Sequence, residues 1–144
     1  MDTRLIFLPA MAMVAHALGQ LGDAPLAARA EPLLAPYADL YVVYGIGSAT
    51  AGPVAYSLGV LQLLQDRAHD AAASFAVAIE RSQQMHARPY LARSRAGLAE
   101  ALRRRGGPGD AERAAQLAAL AEADARALGM LRLQRELGLE SVTR

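Results

Sequence analysis

Residues 53–78 read Pro53-Val54-Ala55-Tyr56-Ser57-Leu58-Gly59-Val60-Leu61-Gln62-Leu63-Leu64-Gln65-Asp66-Arg67-Ala68-His69-Asp70-Ala71-Ala72-Ala73-Ser74-Phe75-Ala76-Val77-Ala78. Proline suits the first turn of a helix, and Val54, Leu58, Leu61 and Leu64 then recur at the three-to-four-residue spacing of one helical stripe. The Asp66-Arg67-Ala68 segment breaks that stripe as a tight turn. A second stripe follows, with Ala71, Phe75, Ala78 and Ile79 on one face of a helix that runs to about residue 87. Two helices of this length joined by a tight turn form a helical hairpin.

Working outward, the same unit recurs. Gly59 aligns with Gly97 at a period of 38 residues, and Ala71, Phe75 and Ala78 meet Ala111, Ala115 and Ala118 once the Gly106-Gly107-Pro108-Gly109 turn is granted two more residues. Upstream, Ala15 and Ala27 stand twelve residues apart, as Gly59 and Ala71 do. Small residues at such positions let one helix cross another closely, and each hairpin buries its stripe only by stacking on its neighbours. The punctuation places hairpins at about 4–37, 53–87 and 89–128, with Asp110 as the cap of a helix beginning at Ala111, and a partial last helix at 130–137. Pro32 makes residues 26–37 the least regular helix. Residues 39–52 form a glycine-rich run read as a buried connection or a broken short helix. The expected fold is all-α: one domain over 1–144, of stacked antiparallel hairpins, about three and a half of them and seven helices.

At these residues the chain resembles the tetratricopeptide repeat family, which places Leu-Gly on a first helix, here Leu58-Gly59, and Ala, an aromatic and Ala on the second, here Ala71, Phe75 and Ala78. It departs from that pattern at the early tryptophan, replaced by Ala55, and at the tyrosine after the glycine, replaced by Gln62. Gly52-Pro53-Val54-Ala55-Tyr56-Ser57-Leu58-Gly59, Ala87-Arg88-Pro89-Tyr90-Leu91-Ala92-Arg93-Ser94-Arg95 and Arg105-Gly106-Gly107-Pro108-Gly109-Asp110 are similar to the C-terminal helical repeats of large bacterial signal-transduction ATPases. That group includes transcriptional regulators and proteins linked to adenylate cyclase domains. The resemblance implies a cytoplasmic regulatory module, part of or detached from a larger protein, that senses an inducer or a partner.

Composition agrees with helices and closes many chemistries. Of 144 residues, 33 are alanine and 22 leucine, against seven valines, three isoleucines and three threonines to furnish a sheet. There is no Lys, so no phosphate-binding loop, Schiff base or lysine general base can form, and no Cys, so no disulfide or thiolate ligand. Residues 5–22 and 40–65 are uncharged but are interrupted by proline, glycine and polar residues, and read as buried helices of a stack rather than as an export signal or a membrane span. The net charge of +1 divides into −3 over residues 1–66 and +4 over 67–144, with the excess between Glu80 and Pro108. Nucleic acid is the first thought for such a stretch, but the near-neutral domain and scarce aromatics favour a solvated helix face.

Chemistry at particular residues is sparse. Ala55-x-Ser57-x-Gly59 imitates a nucleophile elbow but falls inside an expected helix with no strand before it. His16, His69 and His86 lie in different hairpins without metal-ligand spacing, and Gly45-Ile46-Gly47 lacks the third glycine and the strand-helix context of a dinucleotide fingerprint. No catalytic residue, metal or cofactor is expected, and the chain reads as a non-enzyme. The concave side of the stack is the remaining candidate, presenting Pro53, Tyr56, Val60 and Leu63 from one unit and Leu91, Ser94 and Leu98 from the next, with Arg88 and Tyr90 at the rim. A protein or peptide would bind there through apolar contact, Tyr56 as anchor, and an arginine pairing a carboxylate. Two other occupants come from the same reading: a second copy at an exposed solenoid end, or a small-molecule inducer between residues 44–52 and the adjacent helices.

Overall fold

The computed structural model describes residues 4–44 and 49–138. Seven helices follow in order: α1 (Arg4–Leu21), α2 (Ala24–Leu34), α3 (Val54–Leu64), α4 (Ala68–Gln84), α5 (Arg88–Arg105), α6 (Asp110–Ala127) and α7 (Leu131–Glu136). From α2 onward each packs chiefly on its neighbours in sequence, whereas α1 packs most heavily on α3. Among the described residues no helix is long and apolar enough to cross a membrane.

The helix boundaries have local causes. The Asp23 carboxylate accepts from the Leu26 N–H at 2.9 Å, satisfying one of the open donors at the start of α2, and Pro25 occupies the first turn where no N–H is needed. α2 continues through Pro32 and ends two residues later in a 3-10 turn, Ala35–Tyr37. So late in the helix the ring removes a single ladder bond, which explains why it is tolerated. Asp110 does not cap a helix beginning at Ala111. It is the first residue of α6, and its buried carboxylate turns back to the preceding turn, accepting from Gly107 N at 2.9 Å and from Arg105 Nε and Nη2 at 2.8 and 2.7 Å.

The 39–52 connection is not a broken helix; it carries a small antiparallel sheet within a fold that is otherwise helical, as expected. Strands β1 (Tyr41–Tyr44) and β2 (Ala49–Pro53) pair antiparallel, Tyr41 opposite Pro53, Val43 opposite Thr50 and Tyr44 opposite Ala49, with an irregularity between Tyr41 and Val43. Five of the thirteen β-branched residues fall between Val42 and Val54, so the one place where the chain concentrates strand-forming side chains is where a ladder forms. Val42 is fully buried, and the Thr50 hydroxyl donates to the Val42 carbonyl at 2.8 Å while accepting from Gly52 N at 3.0 Å. The Tyr41 hydroxyl donates to the Arg81 carbonyl and ties the hairpin to α4. Gly45-Ile46-Gly47 lies outside the described residues.

The core is a series of three clusters. The first joins α1, α2, β1 and α3 around Leu34, Val42 and Leu61; the second joins α3 to α6 around Phe75; the third joins α5, α6 and α7 around Leu133. Phe75 shows how the units meet. A Cβ placed on Gly59 would come within 2.8 Å of the Phe75 ring, and one placed on Gly97 within 2.4 Å. The two glycines, 38 residues apart, thus hold the same ring edge from two helices, at a distance no side chain at either position permits.

A polar clasp joins the first units. The Glu31 carboxylate of α2 accepts from Gln62 Nε2 at 3.0 Å, Gln65 Nε2 at 2.7 Å and Arg67 Nη1 at 2.6 Å. Gln62 also accepts from the Ser74 hydroxyl at 2.7 Å, and so links α2, α3 and α4.

Candidate functional site

A cavity of about 930 Å³ lies on the inner side of the stack. Its walls come from α1 (Ala12, His16, Gly19), the β-hairpin (Tyr44, Ala51), α3 (Tyr56, Val60, Leu63), α5 (Tyr90, Arg93, Gly97, Glu100) and α7 (Leu133, Glu136). The α3 residues recur three or four apart and so share one face, as do Tyr90, Arg93, Gly97, Glu100 and Arg104 on α5.

Tyr56, Val60, Leu63 and Tyr90 are therefore brought together on the cavity wall. Leu91, Ser94, Leu98 and Arg88 do not line this cavity. Each of the three α5 positions lies one residue, or about 100°, past the lining face. Leu98 is buried in the Phe75 cluster and Ser94 is fully buried, while Arg88 pairs with Asp124 of α6 at 3.1 Å. The apolar stripe of α5 goes to the core, and its polar-looking face, Tyr90, Arg93 and Glu100, is the one that lines the cavity. Arg93 and Glu100, two turns apart, were the legible sign of that face. Pro53 is buried at the start of α3.

The hairpin shapes the rim through Tyr90. Gly52 has φ +82, a left-handed conformation, and a Cβ there would lie 2.3 Å from the Tyr90 ring. The Tyr90 hydroxyl donates to the Thr50 carbonyl at 3.2 Å, so ring and hydroxyl are both held by β2. Tyr56 meets Phe75 edge-on with ring centroids 5.8 Å apart. Burial pushes the Tyr56 hydroxyl above its ordinary range, and the Arg93 guanidinium beside it, a positive charge and hydrogen-bond donor, works against that rise. Tyr90 is raised by burial as well, again opposed by Arg93.

On the far wall, His16 Nε2 of α1 lies 3.4 Å from Arg132 Nη1 of α7, which brings the two ends of the described chain together across the cavity. Partial burial lowers the His16 pKa first, then the charges of Arg132 and Arg93, with Glu136 opposing. The imidazole is thus held neutral at neutral pH. Arg132 also pairs with Glu136 at 3.2 Å.

The arginines between Glu80 and Pro108 are mostly neutralised. Arg81 pairs with Asp39, Arg88 and Arg95 with Asp124, Arg103 and Arg104 with Glu100, and Arg105 with Asp110. For Glu100, burial acts to raise the carboxyl pKa, but hydrogen bonds from Arg104 and Arg103 outweigh it and the net shift is downward. Arg93 is the exception: among the described residues no carboxylate pairs with it.

Ser57 lies buried at the fourth position of α3. A strand does precede that helix, contrary to the sequence reading, but the serine sits within regular helix rather than at a strained turn, and no histidine bonds to it among the described residues. Comparison of the chain with protein-family models, with curated proteins and with solved structures finds no match to any of them.

Proposed function

We propose that the chain is a non-catalytic recognition module of tetratricopeptide-like hairpins, the sensor part of a cytoplasmic bacterial signalling or transcriptional regulator, and that it binds a small molecule in its inner cavity. The observation that carries this reading is the cavity itself. Its volume of about 930 Å³ falls in the range of roughly 300–1,000 Å³ that suits small ligands, and its apolar walls converge on a few polar groups. The approach of Arg132 to His16 narrows the inner face toward a pocket and away from an open peptide groove. The repeat relation between Gly59 and Gly97 at Phe75 supports the hairpin-stack description.

Thermal-shift screening of the purified chain against chemically varied small molecules tests it. A ligand at a hundredfold excess over its Kd adds about 2.7 kcal/mol to the native state. Ala96→Phe, which puts a ring into the cavity, is expected to abolish the shift while leaving the circular dichroism unchanged. Shifts that persist in Ala96→Phe, or a protein partner bound by a chain that no small molecule stabilises, would refute the reading.

One observation favours a second reading, self-association through the exposed end. Val14, Leu26 and Leu33 on the outer side of α1 and α2 are 42%, 44% and 52% exposed, flanking a shallow apolar depression with Met11 and Leu18. Sedimentation velocity is expected to give a dimer that Leu33→Glu dissociates; a monomer at all concentrations rules this reading out.

A further inference from the structure

Seven arginines lie between Glu80 and Pro108, and six of them are matched to carboxylates at 2.7–3.1 Å. Arg93, the one left without a carboxylate among the described residues, lines the cavity alongside Arg103 and Arg104. A cation partly removed from water without a counter-charge is costly, so an unmatched guanidinium in a cavity is a group awaiting an anion. The carboxylates that share the cavity do not serve: Glu100 is held by Arg103 and Arg104, and Glu136 by Arg132. Counting the charged lining residues with their ion-pair partners, Arg93, Arg103, Arg104 and Arg132 stand against Glu100, Glu136 and Asp66, four positive charges to three negative, which leaves one positive charge in excess among the described residues. The site therefore suits a monoanion.

The donors around that charge suit a carboxylate. A guanidinium presents two parallel N–H groups to a carboxylate's two oxygens. Tyr56 lines the same cavity as Arg93, and its hydroxyl carries a proton to donate to the ligand's second oxygen. Away from the charged groups Glu100, Arg103, Arg104 and Glu136, the lining includes flat and apolar groups: Tyr90 packed on Gly52, then Val60, Leu63 and Ala96. A cavity this large is filled by a carboxylate with a substantial apolar body.

We propose that the cavity carries an anion subsite at Arg93 and Tyr56, and that its ligand is an amphipathic small-molecule carboxylate whose apolar body lies against Tyr90, Val60 and Ala96. This rests on the small-molecule reading of the cavity given above and adds the ligand's charge and shape.

Isothermal titration calorimetry on the whole chain tests it with 4-phenylbutyrate, its neutral amide, the corresponding amine, inorganic phosphate, and a short alanine peptide with a free C-terminus. The expected order has the carboxylate at least about tenfold tighter than the amide, as a charge-assisted hydrogen bond confers, with the amine and phosphate weaker still. In Arg93→Met the preference for carboxylate over amide disappears while the amide's affinity is unchanged, and Arg93→Lys restores part of it. Since Arg93 has no ion pair among the described residues, both variants are expected to keep the wild-type circular dichroism and Tm. Equal binding of carboxylate and amide, or a preference that survives Arg93→Met, overturns the anion subsite and leaves the cavity reading intact. Phosphate binding as tightly as the carboxylate overturns the monoanion assignment, and Arg93-dependent binding of the peptide alone overturns the small-molecule source. Failure of every probe, charged or neutral, removes the cavity reading and the subsite together.

Discussion

Gly97→Ala adds one methyl group and, in an unpacked helix, would stabilise: alanine is better than glycine in a helix interior by about 1 kcal/mol. At this position the added Cβ would lie 2.4, 2.6 and 2.7 Å from three carbons of the Phe75 ring, well inside the roughly 3.5–4.0 Å of ordinary carbon contact. The ring has little room to give way. Phe75 is 1% exposed, the same ring edge meets Gly59, and the ring is also in edge-on contact with Tyr56. Overpacking of a close-packed core costs about 1–3 kcal/mol, and an overlap this deep belongs at the upper end. Subtracting the propensity gain leaves a net destabilisation of about 2 kcal/mol, or a Tm lower by about 8 °C for a chain of this size. Gly59→Ala, where the added Cβ would lie 2.8 Å from the nearest ring carbon and so overlaps less, is expected to lose about half as much. Urea unfolding of the wild type, Gly97→Ala, Phe75→Leu and the double variant closes a cycle that isolates the contact. In the Phe75→Leu background Gly97→Ala is expected to be neutral or stabilising. Should Gly97→Ala stabilise the wild-type chain by about 1 kcal/mol, the glycine is not a packing residue and the account of how the hairpins meet is wrong.

The Glu31 clasp predicts that Glu31→Ala, which strands the Gln62 amide N–H and leaves Gln65 only its bond to the Leu61 carbonyl, destabilises by about 2 kcal/mol in urea unfolding, with Glu31→Gln losing less; equal stability of Glu31→Ala and wild type would show the clasp to be incidental. Arg105 and the Gly107 N–H hold the Asp110 carboxyl at about 2, below its usual 3.8. Because the folded pKa is depressed, its stabilisation is present above about pH 4 and is lost as pH falls toward 2; Tm measured against pH should show an acid limb there that Asp110→Asn flattens. His16 is depressed below 6.5 by partial burial and by Arg132 and Arg93, so the unfolded chain takes up the proton first and stability falls as pH drops below about 6.5. His16→Gln should remove that part of the profile between pH 7 and 5, and an unchanged profile would place the titrating group elsewhere.

Much of the helical layout could be read from residue spacing because helices are made by local rules. The period of Val54, Leu58 and Leu61, the Asp66 turn and the glycine cluster at 106–109 act within a few residues of themselves. The β-hairpin escaped because its signal is small: Val42, Val43 and Thr50 in a chain dominated by alanine and leucine, where glycines can equally mark a loop. At the site, Tyr56, Val60 and Leu63 were recoverable because α3 is apolar on most of its surface, so the inner face was apolar whichever way the helix turned. On α5 the assumption that apolar residues face the groove selected Leu91, Ser94 and Leu98, one position past the lining face, since the core between α4 and α6 had the stronger claim on leucine.

Local physics thus set the helices, their turns and the small residues at which units cross, all of which act over spacings of a few residues or one repeat. Only the packed chain decided which face of α5 the core would take, that Arg132 would approach His16 from 116 residues away, and that among the described residues six of seven neighbouring arginines would find carboxylates while Arg93 would not. Charge pairing depends on distances between helices, and those are set by how Phe75, Gly59 and Gly97 pack, which no local pattern encodes.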